Sequence, residues 1–144
     1  MCDMEERIER IKAIQDDWMQ SEFASPANVS QIEAFEKTAN VIIPDSYKDF
    51  LRLSNGAELF GGDCQLYSVN LNDEFRVNYD YSDGNVPEEL LILGFYNSQH
   101  ICFDARYASF IFYEYEDYDD ISEECLMFSD FYKVLDYIID IAES

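Results

Sequence analysis

The densest run of chemically active side chains is Glu114-Tyr115-Glu116-Asp117-Tyr118-Asp119-Asp120-Ile121-Ser122-Glu123-Glu124, seven carboxylates in eleven residues with tyrosines between them. Such a run can attract a basic partner or a cation. Tyrosine adds a large rigid face and a hydroxyl, a combination enriched at binding hot spots. Asp117-x-Asp119 followed by Asp120 partly matches a calcium loop. The glycine that such a loop needs for its sharp turn is missing, since Asp120, Ile121 and Ser122 stand there. The plain alternative is a solvated acidic loop that aids solubility. The charge imbalance favours partner contact, and the candidate partner-binding residues are Tyr113, Glu114, Tyr115, Glu116, Asp117, Tyr118, Asp119 and Asp120. Strand alternation would put Tyr113 and Tyr115 on one face and Glu114 and Glu116 on the other. Most contact is therefore expected from Glu116 to Asp120, where alternation should have ended.

His100 is the one histidine. If residues 100–104 are extended, His100, Cys102 and Asp104 share one face and Ile101 and Phe103 the other. A Cys–His or His–Asp pair can do acid–base or nucleophilic work, but only with an oxyanion site in the same pocket. No nucleophile elbow or phosphate loop accompanies these residues. A surface or partly packed strand face is the expectation, and no catalytic residue, cofactor site or metal ligand is assigned. Cys2, Cys64, Cys102 and Cys125 are widely spaced and form no C-x-x-C pair. Free thiols are expected rather than a disulfide framework or a zinc site.

These residues sit in a chain of 144 residues with 31 acidic and 9 basic side chains and a net charge of −22. The length predicts one domain over residues 1–144. With 48% apolar residues, 11 Phe and 11 Tyr, the chain can build a core, and a folded rather than a disordered chain is expected. The charge argues against direct nucleic-acid binding and against an anionic membrane surface. A basic protein is its electrostatic complement. Residues 53–132 hold 17 acidic and only two basic side chains, Arg76 and Arg106. Met1-Cys2-Asp3-Met4-Glu5-Glu6 lacks the apolar stretch of an export signal. Leu90 to Phe95, the longest dense apolar run, is too short to span a bilayer. A cytoplasmic location is expected.

The elements follow from periodicity. Met4, Ile8, Ile11 and Trp18 recur on one helical face, with Ile14 at its edge. Ser30-x-x-Glu33 predicts a capping box opening a second helix that buries Ile32, Phe35 and Ala39. Val41 to Ile43 is a short extended run. A third helix starts at Asp45, with Tyr47, Phe50 and Leu51 inward and Asn55-Gly56 as its stop. Strands are predicted at Cys64 to Val69, Leu90 to Phe95, Ile101 to Ala105 and Ala108 to Tyr115, the last three as an antiparallel meander. A final helix has Ser129 as N-cap and a stripe of Phe131, Val134, Leu135, Ile138 and Ala142. Segregated helices and strands predict an α+β fold: N-terminal helices, a central, mainly antiparallel sheet and a C-terminal helix packed on it.

Ile32-Glu33-x-Phe35-Glu36, Ile43-Pro44-Asp45-Ser46-Tyr47-Lys48-Asp49-Phe50-Leu51 and Asn55-Gly56 together resemble the N-terminal signature of the SUKH superfamily. The pattern continues in Leu66-Tyr67-Ser68, Ile92-x-Gly94, Ile101-x-Phe103-Asp104 and Phe128-x-x-Phe131. Two places depart from it: Ala57 stands where many members have a second glycine, and Asn97-Ser98-Gln99-His100 where many have glycines. The superfamily includes Smi/Knr-type cell-wall regulators and bacterial immunity proteins. The resemblance implies a helix-flanked sheet and a binding role without catalytic residues. The function expected is that of an immunity protein, an antitoxin that blocks a cognate, basic toxin domain such as a nuclease. An intracellular adaptor of the cell-wall-regulator type is the alternative, and a DNA mimic is a third reading.

Overall fold

Among the described residues four segments become helices, and side-chain caps set where two of them begin. The computed structural model describes residues 4–14, 20–72, 75–78, 89–97, 99–113 and 127–143. Helix α1 (Met4–Ala13) buries Met4, Ile8 and Ile11; Trp18 lies outside the described residues. Helix α2 (Val29–Ala39) buries Ile32 and Phe35. Its capping box is formed by Asn28 and Gln31, not by Ser30 and Glu33. The Asn28 side chain accepts from the Gln31 N–H at 2.8 Å, and the Gln31 side chain accepts from the Asn28 N–H at 2.9 Å. The cause lies upstream. Ala27 N–H donates to the Leu51 carbonyl at 2.8 Å, and Asn28 is still extended. The helix therefore opens two residues earlier than Ser30-x-x-Glu33 suggests.

Helix α3 (Asp45–Leu51) follows Pro44 and buries Tyr47, Phe50 and Leu51. It stops at Leu51, so Asn55-Gly56 is not its cap. That pair instead turns the chain into the sheet, with Gly56 at φ +90°, a conformation that favours glycine. Helix α4 (Phe131–Glu143) is capped by Asp130 rather than Ser129: the Asp130 carboxylate accepts from the Lys133 N–H at 3.0 Å. Phe131, Val134, Leu135, Ile138 and Ile139 form its buried stripe.

The strands are β1 (Glu22–Phe23), β2 (Ala57–Leu59), β3 (Cys64–Leu66), β4 (Leu90–Tyr96), β5 (Gln99–Asp104), β6 (Ser109–Tyr113) and β7 (Met127–Phe128). They form one antiparallel sheet in chain order. The meander of β4, β5 and β6 is as expected. Strands β1, β2 and β7 are additions, each too short to show an alternation, and β3 ends at Leu66 rather than Val69. Ile101, Phe103, Phe110 and Phe112 sit opposite one another on one face. Phe110 meets Phe131 of α4 at 6.0 Å, and Phe112 meets Tyr137 at 5.5 Å. Phe131 also packs edge-on against Tyr47 at 4.7 Å. The helical layer thus lies on this face. The opposite face is buried as well, at Ile92, Cys102 and Ile111.

Charge ties the outer helix down. Arg7 of α1, 7% exposed, forks onto Asp136 of α4 at 2.9 and 2.8 Å and also donates to the Tyr132 carbonyl. Arg10 reaches Asp140 and Glu143 at 3.2 and 2.7 Å. The Tyr132 hydroxyl donates to Asp49 of α3 at 2.5 Å, and this bond pushes its pKa up to about 12.

Two residues govern how β3 meets β4. The ladder shifts register between Ile92 and Gly94. A Cβ at Gly94 would overlap the Gln65 carbonyl oxygen, so a glycine is what lets the two strands approach. Tyr47, fully buried, lies with its hydroxyl 2.5 Å from the Tyr67 carbonyl and 3.1 Å from the Leu93 carbonyl. The Leu93 carbonyl also accepts from Tyr67 N–H at 2.9 Å. Replacing Tyr47 with Phe keeps the ring and removes the donor at the Tyr67 carbonyl. We expect Tyr47→Phe to lower stability by about 0.5–1.5 kcal/mol, the range for losing one buried hydrogen bond. Urea unfolding of the two proteins measures it, and an unchanged midpoint would contradict the role given to the hydroxyl.

Candidate protein-binding surface

The register of β6 with β7, Phe110 opposite Phe128 and Ile111 opposite Met127, fixes where the acidic tyrosine segment is attached. The segment falls between Tyr113, the last residue of β6, and Met127, the first of β7. Glu114, Tyr115, Glu116, Asp117, Tyr118, Asp119 and Asp120 lie outside the described residues, as does the partial calcium pattern through Ser122. Tyr113 is described, and its expected place on a contact surface is corrected. It ends β6 opposite His100 and is 2% exposed. Its side chain is part of the core because the strand, and with it the alternation, runs inward to this point. The rings of Phe112, Phe128 and Tyr137 meet mutually at 5.5–5.8 Å, which holds β6 and β7 on α4.

His100, Cys102 and Asp104 do share a face of β5, but that face is buried rather than open. Cys102 lies between Ile92 and Ile111, and Asp104 between Leu90 and Ser109. Asp104, 1% exposed, accepts from the Arg106 backbone N–H at 3.0 Å, from its Nε at 3.0 Å and from its Nη2 at 2.9 Å. These bonds close the β5–β6 turn, and the side-chain bond above all holds the Asp104 carboxyl below its ordinary value. Cys64 and Cys102 are free and buried, and burial pushes the Cys64 thiol well up. Cys2 and Cys125 lie outside the described residues. Among the described residues, no group of three or more His, Cys, Asp or Glu side chains is placed to hold a metal ion.

A second feature lies near the other side of the sheet. Strands β1, β2 and β3 border a groove of ≈ 200 Å³, lined by Glu22, Gly56, Glu58, Gln65 and Phe75 among others. Glu22 stands directly opposite Glu58 in the β1–β2 register, and Glu58 opposite Gln65. Asn55 and Gly56 shape one wall: the Asn55 side chain accepts from the Val69 N–H at 2.9 Å, and a Cβ at Gly56 would press on the Leu66 carbonyl. Phe75, 44% exposed, stacks on buried Tyr67 at 6.4 Å. Sequence reading missed this groove, because β1 and β2 carry no visible periodicity. The signal available was Asn55-Gly56, whose turn builds the wall.

An antiparallel sheet meandering in chain order, with helices before and after, defines an α+β domain organised around Tyr47 and Asn55-Gly56. The SMI1 / KNR4 family (SUKH-1) matches over residues 26–133, and the chain belongs to that family. The match begins just before α2 and ends in the first turn of α4, leaving α1 and β1 ahead of it. The chain is also 30% identical over 86 residues to the uncharacterized protein YnaB of Bacillus subtilis (strain 168). That alignment covers 60% of the chain and 51% of the relative, so the chain spans about half the length of the curated relative it matches.

Asp104 gives a pH test of this turn. Its folded pKa is depressed below the ordinary 3.8. Its contribution to stability is therefore complete above pH 3.8 and is lost as pH falls through the depressed folded value. Asp104→Asn should be less resistant to urea than the native protein at pH 7, and the gap should close as pH drops below 3.8. A gap that stays constant down to pH 2 would show that the carboxylate charge does not matter.

Proposed function

We propose that this protein is an immunity protein, a cytoplasmic antitoxin that binds and blocks a cognate basic toxin domain such as a nuclease. Membership of the SMI1 / KNR4 (SUKH) family supports a protein-binding role. The observation that carries the reading further is the lopsided charge: 17 acidic against two basic side chains in residues 53–132. Seven of those carboxylates fall in residues 114–126, between the strand ends at Tyr113 and Met127. In this reading Glu114, Tyr115, Glu116, Asp117, Tyr118, Asp119 and Asp120 contribute to the contact surface, with Tyr113 as the buried anchor behind them. The mechanism is occlusion: the acidic field speeds encounter, and a few desolvated contacts hold the complex.

The reading expects a gene for a basic toxin domain beside this one, and the test uses the product of that neighbouring gene. Co-expression should relieve its toxicity, and the association rate should fall steeply with salt. Converting Glu116, Asp117, Asp119 and Asp120 to amides should mainly slow association. Tyr118→Ala should mainly speed dissociation, at a cost of about 2 kcal/mol. Stopped-flow kinetics separates the two. A folded amide variant with unchanged rates would reduce the segment to a solvated loop. Tight binding of a neighbour-encoded protein that is not toxic would favour the adaptor.

A further inference from the structure

We infer that Asn55-Gly56 is a one-way modification site: folding keeps it shut, and in the unfolded chain Asn55 converts to an isoaspartyl linkage that the native turn rejects. The chemistry needs only water. The Gly56 main-chain nitrogen gives up its proton and bonds to the side-chain carbonyl carbon of Asn55, and that carbon releases its amide nitrogen as ammonia. A cyclic imide results. Water then opens the ring at either carbonyl. One opening leaves aspartate at position 55 with the main chain unchanged. The other routes the main chain through the former side chain, adding one CH2, and leaves the old main-chain carbonyl carbon as a free carboxylate. A side chain on the following residue obstructs ring closure, and glycine has none. Asn55 is the one asparagine in the chain followed by glycine, whereas valine follows Asn28 and Asn40.

Both reacting groups are occupied in the fold. The Asn55 side-chain oxygen accepts from the Val69 N–H at 2.9 Å, which pins the side chain to the segment after β3. The Gly56 N–H, the group that must lose its proton, donates to the Ser54 carbonyl at 2.8 Å. The main chain is tied on either side as well: the Asn55 N–H donates to the Ser25 carbonyl at 3.0 Å, and the Gly56 carbonyl accepts from the Ser54 hydroxyl at 2.5 Å. Ring closure needs these bonds to open, so its rate in the native protein follows the small population of open molecules. The same ties decide the fate of the two products. Aspartate at position 55 keeps an oxygen for the Val69 N–H and changes no main-chain atom. The isoaspartyl form lengthens the main chain just before Gly56, which is packed tightly: a Cβ there would already stand 3.0 Å from the Leu66 carbonyl oxygen and 3.3 Å from the Ser68 nitrogen. An inserted CH2 cannot keep both the Ser25 bond and the place of Gly56 against β3.

The test incubates the full chain for equal times in buffer and in denaturing urea, both mildly alkaline. Both samples are returned to buffer, and size exclusion separates folded from misfolded protein. Trypsin then releases the peptide from Leu53 to Arg76, whose fragmentation distinguishes asparagine, aspartate and isoaspartate at position 55. Conversion there should be at least about tenfold slower in buffer than in urea, because the native bonds must first open. In urea it should outpace conversion at Asn28 and Asn40. Aspartate should appear in the folded fraction, and isoaspartate at position 55 should be confined to protein that fails to refold. Asn55→Asp, which makes the first product directly, should fold. Equal rates in buffer and urea, no excess over Asn28 and Asn40, or isoaspartate in the folded fraction overturns the proposal. So does an Asn55→Asp variant that cannot fold, since the added charge rather than the lengthened main chain would then be the cause.

Discussion

A single phenol hydroxyl sits where the helical layer, β3 and β4 come together. The ladder of β3 ends at Leu66, and β4 shifts register beside Leu93, so the carbonyls of Tyr67 and Leu93 lie at an irregular point of the sheet, deep in the protein. A buried carbonyl without a donor is costly. Tyr47, held on α3 by Phe50 and Phe131, brings its hydroxyl to both. The irregularity it stabilises has structural consequences. Beside it Ser68 and Arg76 form a parallel bridge, and Asn55-Gly56 lies against Val69 and Leu66. The groove beside β1 is therefore a downstream product of the Pro44-Asp45-Ser46-Tyr47 turn.

That chain of dependence explains what could be read from residues alone. Helix faces were legible because Ile8 and Ile11, or Val134 and Ile138, repeat at helical spacing over several turns. The long meander strands were legible because alternation and short links leave few alternatives. The caps were displaced by one or two residues, since Ser, Asn and Asp all make competent caps and a remote bond, Ala27 to the Leu51 carbonyl, chose between them. Strands of two or three residues left no pattern at all, as their pairing is decided by neighbours distant in the chain. For the same reason the cross-strand meeting of Glu22 and Glu58 was invisible. Tyr113 showed the opposite failure: its type suggested a surface, and its register put it in the core.

The positive charges are spent largely on holding helices in place. Arg7 and Arg10 join α1 to α4, Lys48 lies 3.4 Å from Glu36 between α3 and α2, and Arg106 closes a turn. The last turn of α4 carries Asp140 and Glu143 and no basic residue, an unfavourable combination with the negative end of a helix dipole. Arg10 offsets it from outside. Helix α1, which precedes the span shared with the family, thus neutralises a defect in the element that ends the fold.

Among the described residues, the outermost strands of the sheet, β1 and β7, are each two residues long. A sheet edge ordinarily offers a row of free backbone donors and acceptors to any other extended chain, and a long one invites stacking into fibres. Two residues give too few bonds to template such growth, and Glu22 puts a negative charge on one of these stubs. Copies of this chain meeting at their edges therefore gain little and repel one another. A protein built this way can accumulate at high concentration without its sheets joining.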